Sequence, residues 1–371
     1  MRMTQYLKLL IFGMLLNVTA SCQNKPQNTM LQDYTKLPEF EWVENLNCPT
    51  GYPIAVYRGG LEGSGGFVSL SDRFSTGIRG WGSSGNGTSY GVKALPNRIN
   101  CIWISYAEDC AYSIDSDIDY ETMVKLFKEG YQDSSFFFNG DGEYKQTTFR
   151  TILVGFAPGG VVVIWAMGAG RTVEVGRYKG EKYTVPQAEI AKLDNHERLL
   201  FDPVDRKNIM LNTKVIPLEV REAHAGKPIP YGLWDTYRTR YTWRPVFILR
   251  TEGEMVATYY DMFNGEAEEI FAEGLTENKF EKRAIPTGVN FGWRDKDGQG
   301  YGGRIIFEEQ EIFSAFEEIY KDNKEGVAEL QFSINYNNDY VTVLLKQGDK
   351  EIRLPKTAVK TYYSSKLTLK K

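Results

Sequence analysis

The chain has 371 residues, with 44 Lys plus Arg against 48 Asp plus Glu, 42% hydrophobic and 25% charged residues, a globular composition unlike disordered, collagen-like or disulfide-dense chains. A net charge of −4 argues against a nucleic-acid partner, because proteins that bind polyanions carry a strongly basic face. Aromatic residues at 13% accompany β-branched and glycine residues in a pattern that predicts strands and turns, and the length predicts about two domains.

In chain order, the first element is a targeting segment. Arg2 and Lys8 make a positive start and Leu9 to Leu16 an apolar core of eight residues, too few to span a bilayer, which takes about 20. Thr19, Ala20 and Ser21 lead into Cys22, which resembles the lipobox of bacterial lipoproteins, with Thr19 where Leu is common. The resemblance implies that residues 1–21 are cleaved and that Cys22 carries the lipid, giving the protein a membrane partner. The alternative is a plain secretory signal cleaved near Ser21. Residues 22–44 are expected to be a lipidated tether, since 23–38 are polar, carry Pro26 and Pro38 and lack an apolar period. Gln23 resembles the residue of outer-membrane lipoproteins, and the tether lacks the acidic run of surface-exported ones, so a periplasm-facing outer-membrane location is expected. Losing Arg2 and Lys8 takes the formal charge from −4 by two to −6.

Three cysteines then remain, Cys48, Cys101 and Cys110, in a compartment that permits disulfides. One pair plus a free thiol and three free thiols are both open. A hairpin centred on Ala107 and Glu108 would set Cys110 opposite Ser105 rather than Cys101.

The sequence contains an internal repeat. Ala94-Leu95-Pro96 through Asn100 to Trp103 matches Ala284-Ile285-Pro286 through Asn290 to Trp293 at an offset of 190, and Asp119–Tyr131 matches Glu308–Tyr320 at 189. Met123, Val124, Phe127 and Tyr131 correspond to Ile312, Phe313, Phe316 and Tyr320, at helical spacing. Asp117 or Asp119 is suited to cap the first helix. Ile152–Phe156 and Val161–Trp165 read as a hairpin, with Phe156 set against Tyr336 and Val161 against Val341. Pro53–Tyr57 aligns weakly with Pro245–Leu249. The reading is α+β: two tandem β-rich modules, 45–180 and 240–371, each an antiparallel sheet with one packed helix. Residues 181–239 connect them, with a helix opened by Pro186.

The run from Ala94 to Trp103, Ser105–Asp109 with Tyr112, Val154 to Trp165 with its Pro158-Gly159-Gly160 turn, and Val173–Tyr178 resemble the domain-of-unknown-function 2931 family of bacterial lipoproteins. The second module looks like a divergent copy that has lost the acidic turn and the Pro-Gly-Gly turn. The resemblance implies localisation and architecture and brings no activity. Genes of some members lie near toxin or secretion loci, which implies an immunity-type alternative, a periplasmic neutraliser of a secreted toxin.

Candidate chemistry is sparse. Gly80-Trp81-Gly82-Ser83-Ser84-Gly85 fits G-x-G-x-x-G but no helix follows, so a glycine-rich loop is expected and no cofactor. Asp295–Gly300 resembles the start of a calcium loop, yet its twelfth position is Ile306, so a hairpin turn is expected and no metal. His196 and His224 lie far apart, and no C-x-x-C spacing joins them. Glu108 and Asp109, beside Trp103 and Tyr112, form an acid pair with aromatics, either a solvated hairpin turn or a sugar or glycosidase site. Trp234, Tyr237, Arg238, Arg240, Tyr241, Trp243 and Arg244 interleave cations with aromatics, either an edge strand or a surface for an anionic partner. The expectation is a non-enzymatic lipoprotein that binds a protein or envelope component, with a hydrolase of glycans or lipids as the competing class.

Overall fold

The computed structural model describes residues 37–85, 87–134 and 144–369. The signal segment, Cys22 and the tether to residue 36 lie outside the described residues. The first half runs β1 (Glu39–Asn47), β2 (Ile54–Gly63), β3 (Gly66–Ser69), β4 (Arg73–Ser75), β5 (Gly91–Ala94), β6 (Arg98–Ser105), β7 (Cys110–Asp117), α1 (Tyr120–Glu129), β8 (Tyr131–Asp133), β9 (Lys145–Thr147), β10 (Thr151–Ala157), β11 (Val161–Gly168), β12 (Arg171–Lys179) and β13 (Glu181–Tyr183). A helical stretch follows: α2 (Gln187–Ile190), α3 (Asn195–Arg198), a 3-10 turn at Leu199–Phe201, α4 (Pro203–Leu211), α5 (Leu218–His224) and α6 (Leu233–Thr236). The second half has β14 (Tyr241–Leu249), β15 (Gly253–Met262), β16 (Ala267–Phe271), α7 (Glu273–Glu277), β17 (Glu281–Arg283), β18 (Pro286–Asp295), β19 (Gly300–Ile306), α8 (Glu309–Tyr320), β20 (Ala328–Ile334), β21 (Val341–Gln347), β22 (Lys350–Arg353) and β23 (Ala358–Tyr363).

The β-rich α+β class is as expected, but the expected single antiparallel sheet per half is corrected to strands of two sheets around one core. Trp42, Ile152, Val154, Phe156, Val162 and Ile164 from β1, β10 and β11 share a core with Ile54, Val56, Ile99, Trp103, Tyr112 and Ile114 from β2, β6 and β7. The sheet α1 packs on is too wide for one helix to cover. Asp119 caps α1 through Thr122 N, and the helix contributes only Met123 and Phe127 to its fully buried surface, so a second sheet excludes water from the rest. The pairing is also mixed, since β1 runs parallel to β10 and β14 parallel to β20.

One pairing order recurs along the chain. The set β5-β1-β10-β11-β12 is matched by β17-β14-β20-β21-β22, and β13-β7-β6-β2 by β23-β19-β18-β15. Trp103 lies opposite Val56 beside a register shift and stacks on Tyr112 at 5.4 Å; Trp293 lies opposite Met255 beside a register shift and stacks on Tyr301 at 5.3 Å. The indole of Trp42 donates to Lys93 O, that of Trp243 to Ala284 O. A ten-stranded sheet joins the halves where β12 pairs with β16 through Arg171 opposite Glu268 and Thr172 opposite Ala267, within a compact unit spanning Pro38–Lys371.

Several sequence alignments change. Phe156 faces Val162 and Ile334 faces Val341, so Phe156 corresponds to Ile334. Val341 then corresponds to Val162 rather than Val161, and Tyr336 sits 72% exposed in the connecting turn, which is one residue longer than the one between Phe156 and Val162. Pro245–Leu249 lies on β14, the counterpart of β1, whereas Ile54–Tyr57 lies on β2, the counterpart of β15. Strand β1 opens at Glu39, inside the expected tether, and β13 carries the first half to Tyr183. The helix expected after Pro186 is a series of short pieces, with Pro186 as the N-cap of α2. Ser105 does lie opposite Cys110, and Cys48, Cys101 and Cys110 are all free thiols.

Candidate functional site

The outer face of β2, β6 and β7 is apolar, because a sheet buried on both faces reads as a continuous hydrophobic run. Ala55, Tyr57, Ile102, Ile104, Tyr106 and Ala111 lie under Leu193, Leu200, Phe201, Ile209 and Met210 of the helical stretch. Tyr57 meets Phe201 edge-on at 4.9 Å, and its hydroxyl donates to Glu189 Oε1 at 2.8 Å, which also takes Arg58 at 2.7 Å. Asp194 and Glu197 form a capping box on α3, and Asp202 caps α4 ahead of Pro203, so these short helices are fixed at their starts.

Where the helices end against β4 a cleft of about 340 Å³ remains, with apolar walls from Ala55, Val56, Phe74, Leu199, Leu200 and Ile209. Phe74 is 42% and Leu199 46% exposed. Phe74 meets Tyr106 edge-on at 5.7 Å, and burial pushes the Tyr106 phenol up to about 12. The polar rim is Asp72, Arg73, His196, Glu197, Asp205, Asn208 and Asn212. Arg73 is held at 2.6 Å by the fully buried Glu44, whose Oε1 also accepts from Thr88 N, the Thr88 hydroxyl and Ser89 N. Three larger cavities, about 360, 460 and 590 Å³, have walls at least as polar as they are apolar. The 340 Å³ cleft has the apolar lining and few convergent polar groups of a ligand site.

The residues singled out from sequence lie elsewhere. Trp103 is buried against Tyr112 and Phe156. The Glu108 carboxylate accepts from the Ser105 and Tyr112 hydroxyls, both at 2.7 Å, and from Gly159 N at 3.1 Å, which ties the β6–β7 turn to the β10–β11 turn. Asp109 takes a left-handed φ of 51° and pairs with Arg206 of α4 at 3.2 Å. The run Trp234–Arg244 is no edge strand: Trp234 is on α6, and β14 lies between β17 and β20. Trp234 and Tyr237 pack on Leu153, Val163 and Trp165, while Trp243 is in the second core. Arg238, Arg240 and Arg244 pair with Glu174, Glu266 and Glu329 at 2.7, 2.6 and 2.5 Å. Neither group lines the cleft, although Asp109 reaches its α4 wall through Arg206.

The Gly80–Gly85 segment is a loop held by the Asn47 side chain, which bonds Gly80 O, Gly82 N and Ser83 O. Asp295 and Gly300 close a hairpin in which Asp295 Oδ1 accepts from the amides of Asp297 and Gln299. Among the described residues no group of three or more His, Cys, Asp or Glu is placed to hold a metal ion, and no helix is long and apolar enough to cross a membrane. The cleft residues Phe74, Tyr106, Leu199, Leu200, Asp205 and Ile209 were missed by sequence reasoning. The available signal was Leu199-Leu200-Phe201, an apolar run inside an otherwise polar helical stretch.

The geometry defines a β-rich α+β protein with paired two-sheet cores and an apolar cleft under its helical stretch. The chain belongs to the family described as a protein of unknown function, DUF2931, which matches residues 22–232, more than half of its length and the whole of the cleft. No curated protein and no solved structure matches it.

Proposed function

We propose that the protein is a cell-envelope lipoprotein, anchored to the outer membrane through a lipid on Cys22, facing the periplasm and working by binding rather than catalysis. The apolar cleft carries this reading, since exposed Phe74 and Leu199 at its mouth gain stabilisation when a ligand removes them from water. Residues 23–38 separate Cys22 from β1, and these sixteen residues, fully extended, reach about 55 Å. That length lets the cleft sample the space beside the membrane. The occupant is a small molecule of the envelope.

Native mass spectrometry of the protein purified gently from envelopes tests the reading. The wild type is expected to carry a low-mass species that Asn208→Trp, which fills the cleft from the exposed face of α4, no longer carries. A protein partner retained equally by both forms would contradict a small-molecule role. Cys22→Ala is expected to move the protein from the membrane to the soluble fraction and abolish fatty-acid labelling; unchanged labelling removes the anchor.

A further inference from the structure

We propose that the cleft takes an amphipathic cation, a small molecule with an apolar or aromatic body and an amine. The inference rests on the cleft being a binding site and adds the charge of its occupant. Among the described residues lining the cleft, Asp72, Glu197 and Asp205 are acidic, and Arg73 and His196 are basic. The Arg73 charge is matched by Glu44 behind it, 2.6 Å away and fully buried, so the pair presents little net charge to the cavity. The remaining balance is acidic.

Glu197 and Asp205 are each only half-exposed and stand beside the apolar walls of Leu199, Leu200 and Ile209. A carboxylate there loses part of its hydration, so a cation bound close by is stabilised more than it would be at an open surface. The Glu197 carboxylate is placed by the capping box on Asp194, and Asp205 stands in the first turn of α4, whose backbone is fixed by its amide donating to the Asp202 carboxylate. Phe74 and Tyr106 add aromatic faces and edges for the body of the ligand, and aromatic faces favour a cation. An anionic ligand would meet the same acids as like charges.

The test uses three probes with one fluorophore and different charge: dansylcadaverine (cationic), dansylamide (neutral) and dansylglycine (anionic), titrated by fluorescence against the full chain in detergent. Dansylcadaverine is expected to bind at least about tenfold tighter than dansylglycine, with the ratio shrinking in high salt. Asp205→Asn is expected to lower that ratio several-fold. Glu197→Gln, which keeps a capping-box residue, is expected to do the same should Asp205→Asn disturb α4. Equal or tighter binding of the neutral or anionic probe, lost in Asn208→Trp, overturns the cationic preference and leaves the cleft as the site. If no probe binds, or Asn208→Trp leaves binding unchanged, the cleft reading itself fails.

Discussion

Arg283→Ala is expected to lower the unfolding free energy by about 3–5 kcal/mol, the usual cost of breaking a buried ion pair from one side. Arg283 is 7% exposed and sits on β17 of the five-stranded sheet. Its Nε donates to Glu268 at 2.7 Å on β16 of the ten-stranded sheet, and Nη1 donates to Trp243 O at 2.9 Å. The side chain therefore ties the two sheets. Glu268 also takes Arg171 of β12 at 3.1 Å, at the place where the sheet passes from one half to the other. Burial would push the Glu268 carboxyl up, but the hydrogen bond and charge of Arg283 and the charge of Arg171 outweigh it and hold it below its ordinary value. Chemical denaturation checks this. Arg283→Lys, which keeps the charge and loses the planar fork, should fall between wild type and Ala, and a loss under about 1 kcal/mol in Ala would show that the sheets are joined by other contacts.

Glu44→Ala is expected to cost a similar amount, about 3–5 kcal/mol, because it takes the counter-charge from Arg73 and the acceptor from Thr88 and Ser89. Burial raises the Glu44 pKa, yet the Thr88 hydrogen bonds and the Arg73 charge outweigh it and leave it below the ordinary 4.5. The sign follows from linkage: a depressed folded pKa gives stability that is present above the unfolded value and is lost as pH falls through the folded one. The stability gap between wild type and Glu44→Gln is therefore expected to be full above pH 4.5 and to narrow below it. Melting curves of both proteins from neutral to acid pH report this gap, and a constant gap would remove Glu44 as an ionised, charge-paired group.

The parts legible in the sequence are those encoded locally or repeated. The Pro96–Trp103 and Pro286–Trp293 stretches announced two equivalent strands, and Asp119 with Met123 and Phe127 announced a capped helix; all stand in those places. Strand partners across the chain were not legible. Period-two alternation says which face is buried and not against what, so two facing sheets and one sheet with a helix write the same pattern. The Arg238–Glu174 and Arg244–Glu329 pairs join residues 64 and 85 positions apart; in sequence those arginines looked available to an anionic partner. The cleft was hidden for the same reason. It needs β2, β4 and the α3–α4 segment, and the helices that form it are too short to show a strong periodic stripe.

The most direct test of the cleft as the ligand site is methyl-labelled NMR during titration with dansylcadaverine. Shifts are expected to concentrate on the methyls of Val56, Leu199, Leu200 and Ile209, which line the cleft. Shifts concentrated instead on Met167, Met262 and Thr287, which line the larger groove beside Trp81 and Tyr259, would contradict it.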